Sequence, residues 1–479
     1  MHFSLMRCKN ADAASPEPEK GVAFLEQYRD KCGMTDHALD TLSRLLDTAH
    51  ACGADAADAV MFETVDASAS QRMGKPEGIE RSENRALGLR AFVGQRQAIV
   101  SATDTNALAE LAERAVAMAR AAPADPDGTL APESLIARAI PNLDLFDGDE
   151  PDIEWLAGQC RQAEEAALSA EGITNSEGAE AHYSQSRVSL AIAAGRDMRF
   201  AHSYQASHFS VSVSVLAGTG TSMQRDYDFT SARHRRDLAD AAGVGLNASR
   251  RALARLNPRK AATCRVPVVF DPRISRGLLN VLAGSISGTS IARGSSFLKD
   301  ALHRQIFSKN VMIIDDPHIK GALGSRPFDG EGVKNGRRAI VENGVLTTWL
   351  LDMRSANKLK MTTTGHATRG IASPPSPSSS NLYMENGALS PAALMKDISG
   401  LYVTETFGMG INTTTGDYSQ GAAGFWIENG ELSYPVAEIT IAGHLSDMFK
   451  TITPANDLAF RYATNAPTLR VDAMTVAGA

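Results

Sequence analysis

The sequence predicts an α+β protein, in which an N-terminal mixed α/β domain is followed by a β-rich C-terminal domain. Three observations support this. The chain has 479 residues, more than the roughly 250 to 300 at which a single core stops growing. In the first half, helical and strand-like hydrophobic periodicities alternate. The second half is mostly strand-like after one early helix, and it is rich in glycine.

The first elements follow a segment that is rich in charge, proline and alanine, with Ser-Pro-Glu-Pro at positions 15–18. This composition predicts a mobile extension over residues 1–36. From Asp36, a suitable N-cap, leucine and alanine recur at helical spacing until Gly53 ends the helix. A strand over Ala59–Val65 comes next, and then a hairpin between Leu87 and Ser101.

Three more helices and a strand-like stretch complete the first half. One helix begins after Thr105, and another spans Pro151–Ala170. Between Gly172 and Ala217 valine and serine alternate, which is typical of a strand with one buried face. A long helix over Leu238–Leu256 ends where Asn257-Pro258 disfavours further helix. We therefore predict an N-terminal α/β domain over residues 37–258 and a C-terminal domain over residues 259–479.

The second half opens with a strand at Val266–Phe270 and a helix after Asp271-Pro272. Glu-Asn-Gly then occurs three times, 43 residues apart, at positions 342, 385 and 428. The first and third copies have strand-like flanks and predict hairpin turns. The middle copy is followed by a helical pattern over Leu389–Ile398, so the sequence does not support a structural repeat.

Composition excludes several function classes. A formal net charge of −7 argues against nucleic-acid binding, which needs a dominant basic surface. The two basic clusters, at residues 233–236 and 250–260, are interpreted as solvated surface. No apolar run is long enough for a signal peptide or a membrane span. The five cysteines are widely spaced and form no CxxC, which favours a reducing, cytoplasmic location.

Catalytic motifs are scarce. None of the eleven histidines is followed by glutamate, as a zinc peptidase helix would require. His202 and His208 are predicted to share a strand face, but no third or fourth metal ligand is near them in the sequence. A GxSxG nucleophile elbow and a phosphate-binding loop are also missing.

The segment Thr404–Gly443 has glycines throughout its strand-like runs, which allows backbones to approach closely. Asp417, Tyr418 and Ser419, followed by residues 421–426, are predicted to lie beside an open strand edge. An extended peptide could add to such an edge by backbone hydrogen bonding. The alternative is a glycine-rich sheet packed tightly in the core, which composition alone favours.

The same segment carries a family resemblance. Residues 416–430 read Gly-Asp-Tyr-Ser-Gln-Gly-Ala-Ala-Gly-Phe-Trp-Ile-Glu-Asn-Gly, and residues 434–443 read Tyr-Pro-Val-Ala-Glu-Ile-Thr-Ile-Ala-Gly. Both resemble the C-terminal signature of PmbA/TldE subunits in the TldD/PmbA metallopeptidase family. Six shorter segments add to the resemblance, which covers nearly everything after His37: Ser82–Gly88, Asn142–Phe146, Arg225–Tyr227, Leu256–Lys260, Pro327–Val333 and Thr347–Leu351.

The resemblance implies that this chain lacks the metal site of its family. In the TldD half of the family a helix carries HExxxH, which corresponds here to the helix at Gly277–Gly288. Asn280, Val281 and Ser285 stand at the positions of the histidine, the glutamate and the second histidine. The family's C-terminal cysteine ligand is also missing from residues 463–469. We therefore expect no catalytic residue, metal or cofactor in this chain, and a divalent ion, expected to be zinc, in a TldD-type partner.

The resemblance further implies a heterodimer with the TldD-type subunit around a closed chamber, where unfolded or modified peptides are cut. This chain alone is expected to be inactive, with no nucleic-acid or membrane partner. The residues expected to contribute to the chamber wall are Asp417, Tyr418, Ser419, Gly421, Gly424, Phe425 and Trp426.

Two alternatives remain open at the level of the sequence. One is a homodimeric peptide-binding or chaperone-like protein without proteolytic activity. The other is an autonomous hydrolase with a relocated site, for which the residues show no acid-base or metal constellation.

Overall fold

The computed structural model describes residues 37–478, and the predicted extension over residues 1–36 lies outside them. The described part of the N-terminal half contains four α-helices and six strands. They are α1 (His37–Ala51), β1 (Ala56–Arg72), β2 (Lys75–Val93), β3 (Arg96–Ala102), α2 (Leu108–Ala121), α3 (Ile153–Leu168), β4 (Ile173–Ala194), β5 (Asp197–Ala217), β6 (Gln224–Ala232) and α4 (Ala241–Ala254).

The C-terminal half has shorter elements. They are β7 (Cys264–Phe270), α5 (Pro272–Ser285), α6 (Gly288–Arg293), β8 (Ile313–Asp315), β9 (Arg338–Glu342), β10 (Val345–Leu346), α7 (Met353–Leu359), β11 (Ala367–Thr368), β12 (Ser376–Pro377), β13 (Leu382–Met384), α8 (Pro391–Met395), β14 (Gly400–Phe407), β15 (Ile411–Asn412), β16 (Asp417–Glu428), β17 (Glu431–His444), α9 (Leu445–Thr451), β18 (Thr453–Pro454), β19 (Thr464–Asn465) and β20 (Leu469–Ala477). The predicted α+β class, with its strand-rich C-terminal region, is confirmed.

The first sheet is antiparallel and has the order β3-β2-β1-β4-β5-β6. Its helices lie on one face only. α1 and α2 pack on one end of that face through leucine and alanine side chains, and α3 and α4 pack on the other end. Helices on one face of an antiparallel sheet leave the opposite face free for other contacts.

The pair α3 and α4 shows why small residues are needed in this layer. A Cβ atom added to Gly245 would lie 2.1 Å from the carbonyl oxygen of Ala163. The Ser249 hydroxyl donates a hydrogen bond of 2.8 Å to the carbonyl oxygen of Ala167. The two helix backbones therefore touch, which only glycine, alanine and serine at the contact permit.

The predicted helices of the first half and the hairpin near residue 94 are confirmed. The strand predicted at Ala59–Val65 is too short, because β1 continues to Arg72. Its second part alternates buried Ala67 and Ala69 with half-buried serines. Alanine and serine carry little β-propensity, and here the sheet neighbours determine the conformation.

The C-terminal strands form two principal sheets. Five short strands pair in the order β10-β9-β8-β13-β19. The other sheet runs β14-β7-β20-β17-β16, and β16 pairs back onto β14, which closes a five-stranded ring. The largest apolar cluster contains side chains from this ring, from α5 and from the short sheet.

Both predicted hairpin turns are confirmed. Asn343 and Gly344 have φ of 49° and 80°, and Asn429 and Gly430 have φ of 53° and 85°. Two consecutive positive φ values define the type I′ turn, which favours Asn-Gly. The middle Glu-Asn-Gly forms no hairpin, and Gly387 instead packs against the carbonyl oxygen of Pro454.

The two halves share an apolar contact on the helix-free face of the first sheet. Val60, Ile192 and Phe200 from the sheet pack with Phe328 and Val333 from the C-terminal half. All strands of the first sheet precede residue 258, and the strands of the other sheets follow it. The domain boundary between residues 258 and 259 stays a prediction.

Candidate functional site

The helix α5 carries the three positions that correspond to the metal motif. Asn280 is exposed, Val281 is half-buried and Ser285 is buried. The Ser285 hydroxyl donates to the carbonyl oxygen of Val281 at 2.7 Å. Its side chain is therefore engaged within the helix, whereas Asn280 faces solvent.

These residues do not fit a catalytic metal. Zinc prefers imidazole, thiolate and carboxylate ligands, and none of the three positions supplies one. The hydroxyl of Ser285 is already used within its own helix, and Val281 cannot transfer a proton. Between residues 37 and 478, no group of three or more histidine, cysteine, aspartate and glutamate side chains is arranged to hold a metal ion.

The predicted open edge of β16 is wrong. β16 pairs with β17 from Asp417 to Glu428 along one side. On the other side it pairs with β15 at Asp417 and Tyr418 and with β14 from Gly421 to Ile427. Ring closure therefore occupies its backbone groups, and a peptide cannot add to this strand without displacing a neighbour.

The seven channel candidates divide between two sides of the ring. Tyr418 is buried in the main apolar cluster, and Trp426 packs against that cluster. Asp417 and Ser419 are exposed, and Phe425 is half-buried.

The two glycines serve close packing. The ring of Phe407 covers Gly421, and a Cβ on Gly424 would lie 1.9 Å from the carbonyl oxygen of Tyr402. Tight packing therefore accounts for Gly421 and Gly424, whereas a channel role for the exposed pair Asp417 and Ser419 stays a prediction.

Sequence analysis missed a broad polar surface on the helix-free face of the first sheet, here called the open face. Residues directly opposite each other on antiparallel strands point to the same face. Asp66 lies opposite Ser184, which lies opposite His208. All residues of the open face are half-buried, and they are Thr64, Asp66 and Ser68 of β1, His182, Ser184 and Ser186 of β4, and His208, Ser210 and Ser212 of β5.

Two histidines approach each other on the open face. The rings of His182 and His208 have centroids 6.1 Å apart. His182 Nε2 lies 3.5 Å from Asp66, and His208 Nε2 lies 2.8 Å from the Ser231 hydroxyl. Burial lowers the pKa of His208 to about 4, with Arg233 and His182 acting in the same direction. His208 is therefore neutral at physiological pH, and it can accept or donate one hydrogen bond.

His202 shares a face of β5 with His208, as predicted, but the two are not brought together. His202 packs against Phe200 and Phe328, with ring centroids at 4.8 Å and 6.4 Å. Burial lowers its pKa to about 4. It belongs to the contact between the two halves of the chain.

A buried charge cluster lies at the same contact. Asp58 of β1 accepts a hydrogen bond of 2.9 Å from Nε of Arg90 and forms an ion pair with Arg369. Glu331 lies 3.9 Å from Arg90 and accepts the backbone N–H of Met353 at 2.8 Å. Burial alone would raise the pKa of Asp58, but Arg369 and Arg90 lower it. These side chains join β1 and β2 to the C-terminal half.

Glu331 gives this contact a dependence on pH. Burial raises the pKa of Glu331 to about 8, against about 4.3 for an unperturbed glutamate. Such a group contributes stability below its unfolded pKa, and that contribution is lost as pH rises through the folded value. We expect the free energy of unfolding to fall between about pH 5 and about pH 8 and to fall less steeply in Glu331→Gln, since these limits follow from the unfolded and folded pKa of Glu331. Urea unfolding at both pH values measures this, and identical slopes for both proteins would contradict it.

A groove of about 740 Å³ lies where the start of α1 and the segment before α2 meet β1, β2 and β4. On its floor Glu63 stands opposite Arg85 on one side and Arg187 on the other. Glu63 forms an ion pair with Arg85, with 2.6 Å between Oε1 and Nη2. None of the channel candidates lines this groove.

The two basic clusters are largely paired rather than free surface charge. Arg251 lies 2.8 Å from Asp228, and Arg255 lies 3.5 Å from Asp226. In the other cluster Arg235 and Arg236 lie within 4 Å of aspartates. Arg233 differs, because its guanidinium donates to the carbonyl oxygens of Ser207 and Leu323.

Comparisons with known proteins cover nearly all of this structure. Family models match as PmbA/TldA metallopeptidase domain 1 over residues 57–119, central domain over residues 100–256 and C-terminal domain over residues 263–478. Metalloprotease PmbA of Escherichia coli O157:H7 is 38% identical over 431 residues, which are 88% of this chain and 92% of that protein. A PmbA homologue of Haemophilus influenzae is 38% identical over 416 residues, 86% of this chain and 90% of that protein.

Solved structures show the same fold. A proposed modulator of DNA gyrase from Bacteroides thetaiotaomicron superposes with a TM-score of 0.83 at 25% identity, covering 93% of this chain and all of that chain. TldE from Thermococcus kodakarensis superposes with a TM-score of 0.77 at 18% identity, covering 91% of this chain and all of that chain. Among residues 37–478, no helix is long and apolar enough to cross a membrane.

Proposed function

The chain belongs to the PmbA/TldD metallopeptidase family, and from this premise we propose that it is the subunit without a metal site in a two-chain peptidase. A TldD-type partner carries the divalent ion, expected to be zinc, and performs the cut. This chain holds unfolded or modified peptides beside that site. Within the described residues, Cys160 and Cys264 form no disulfide, which suits a cytoplasmic reaction.

The observation that carries the proposal is the set of residues at the metal-motif positions of α5. At the positions of two ligands and a base, it has an exposed amide at Asn280, an aliphatic side chain at Val281 and a buried hydroxyl at Ser285. A hydrolytic metal needs at least three good ligands and an open position for water. The peptidase activity that the family name implies must then come from another chain.

The open face supports a role in holding peptide. It presents hydroxyl, imidazole and carboxylate groups of short side chains, which can pair with the N–H and C=O groups of an extended chain. Half-buried positions on a sheet without helices above it leave room for such a chain. We propose that the open face, with Asp417 and Ser419 of the ring, contributes to the wall of a chamber closed by the partner.

Reconstitution tests the proposal. We expect the purified chain to contain no stoichiometric divalent metal and to cut no unfolded peptide. Mixing it with a TldD-type partner is expected to give cleavage that neither chain shows alone and that a chelator abolishes. Elemental analysis and a peptidase assay on an unfolded protein measure both quantities.

The matched control is the same partner with the glutamate of its HExxxH replaced by glutamine, which should assemble but not cut. Chelator-sensitive cleavage by this chain alone would overturn the assignment of the metal to the partner.

A homodimeric peptide-binding protein without proteolytic activity is the second candidate, because the open face needs no metal to bind a peptide. This candidate predicts that peptide stays bound and intact even when the TldD-type partner is present. Size-exclusion chromatography with labelled peptide separates the two outcomes.

A further inference from the structure

A small cavity lies where the open face meets the C-terminal half. It has a volume of about 140 Å³ and lies between β1 and β4 on one side and the segment 326–330 on the other. Phe62, Val188, Leu190 and Phe328 form apolar walls. Phe62 and Val188 lie two residues from Thr64 and Ser186, and alternate residues of a strand share a face. The cavity is therefore continuous with the open face.

Tyr204 stands at the polar end of this cavity. Its ring lies edge-on to Phe328, with centroids 5.4 Å apart. It also lines an adjoining cavity of about 420 Å³ on its other side. Tyr204 is half-buried, and within residues 37–478 its hydroxyl makes no hydrogen bond to a protein group. The phenol is therefore available to a ligand.

Two arginines beside Tyr204 have no carboxylate partner. Arg326 donates from Nη2 to the carbonyl oxygen of Ser378 at 3.0 Å, and Arg233 donates to that of Ser207 at 3.0 Å. In the described part of the chain neither lies within ion-pair distance of an acidic side chain. Both positive charges act on the Tyr204 phenol and favour its ionised form, although burial raises its pKa.

This arrangement departs from the rest of the molecule. Arginines withdrawn from water are almost always paired, as Arg90 and Arg369 are with Asp58. Arg326 and Arg233 are half-buried, and each has a buried Nε without a hydrogen-bond partner among the described residues. Asp329 also lines the cavity, but its oxygens accept backbone N–H groups of Glu331, Val333 and Ala367. The charge of Arg326 opposes the rise that burial causes in the pKa of Asp329, but no ion pair joins these two described residues. The free hydrogen-bond donors of Arg326 and Arg233 are thus left for an anion from outside.

We propose that this cavity binds the C-terminal residue of a peptide, with its apolar side chain between Phe62, Val188 and Phe328 and its α-carboxylate at Tyr204 and Arg326. The volume equals about four or five water molecules at roughly 30 Å³ each, which matches a valine or leucine side chain. Arginine and a phenol are strong donors to a carboxylate. The inference rests on the proposed function of holding peptides and names one of its subsites.

Paired peptides test this. One unstructured peptide ends in leucine with a free carboxylate, and its twin ends in leucine amide. Binding to the full-length chain is measured by fluorescence anisotropy, alone and with a TldD-type partner depleted of metal. A carboxylate that gains charged hydrogen bonds should bind about tenfold or more tightly than the amide.

Tyr204→Phe removes one hydroxyl and keeps the ring, so the variant should fold. It should reduce the preference for the free-carboxylate peptide over its amide twin severalfold. Arg326→Gln should reduce it further, with thermal melting as the check on folding. The control is Arg293→Gln, an exposed arginine on α6, which should keep the full preference.

Equal binding of acid and amide by the unmodified chain would overturn the subsite while the proposed function stands. An unchanged preference in Tyr204→Phe would also overturn it. Failure to bind either peptide overturns the subsite too. In that case the proposed function is tested separately by peptide cleavage with the reconstituted pair. Cleavage would support the proposed function, and no cleavage would contradict it.

Discussion

Replacing Asp58 by alanine is expected to lower the free energy of unfolding by about 3 to 5 kcal/mol, which is the usual cost of removing one partner of a buried ion pair. Asp58 is fully buried, and it contacts Arg90 of β2 and Arg369 of the C-terminal half. Without it two guanidinium groups remain in the interior, where Glu331 at 3.9 Å from Arg90 and the charge of Asp352 compensate them only in part.

Two variants separate charge from packing. Asp58→Asn keeps the volume and removes the charge, so most of the loss should remain. Asp66→Ala is the matched control, because Asp66 lies on the same strand and face but is partly exposed beside His182. It should cost less than about 1 kcal/mol. Urea unfolding gives all three values, and equal losses at positions 58 and 66 would contradict the role of the buried cluster.

The pKa of Asp58 adds a dependence that is opposite to that of Glu331. Arg369 and Arg90 lower the pKa of Asp58 against the effect of burial. A group with a lowered folded pKa contributes stability above its unfolded pKa, and that contribution is lost as pH falls through the folded value. Acid therefore weakens the contact through Asp58, and a rise in pH to about 8 weakens it through Glu331.

The helices were predicted well because helical periodicity depends on residues that are close together in the sequence. The leucines of α1 recur at helical spacing and are all buried in the structure. The Asn-Gly turns were predictable for the same reason, since positive φ is a property of two adjacent residues. The end of β1 was not, because Ala67 and Ala69 adopt strand conformation through their neighbours in the sheet.

The candidate site was predictable only in part. The positions Asn280, Val281 and Ser285 follow from matching residues along one helix. The pairing of β16 does not, because it depends on β14 and on ring closure, which no local pattern encodes. Asp58 carried one unused signal, since a lone carboxylate within an apolar strand needs a buried partner. One partner, Arg90, lies directly opposite it on β2, but the other, Arg369, lies 311 residues away and could not be identified from spacing.

Tyr418 shows how the structure changes the meaning of a site prediction. Tyr418→Ala is expected to lower the free energy of unfolding by about 3 to 5 kcal/mol, as for other large aromatic truncations in a core. The side chain is only 4% exposed and belongs to the main apolar cluster, which also contains Ile439 and Leu445. Loss of peptide turnover in this variant would therefore report unfolding as readily as a lost channel contact.

Two neighbouring variants resolve the question for the chamber wall. Tyr418→Phe keeps the ring and removes a hydroxyl without a hydrogen-bond partner in the described chain, so it should change stability by less than about 1 kcal/mol. Ser419→Ala alters an exposed side chain of β16 and should stay within about 0.5 kcal/mol. A drop in peptide cleavage by the reconstituted pair with Ser419→Ala, at unchanged stability, would support a channel role for the exposed side of the ring. If Tyr418→Ala keeps its urea midpoint while cleavage disappears, Tyr418 contacts peptide and the assignment to the core is wrong.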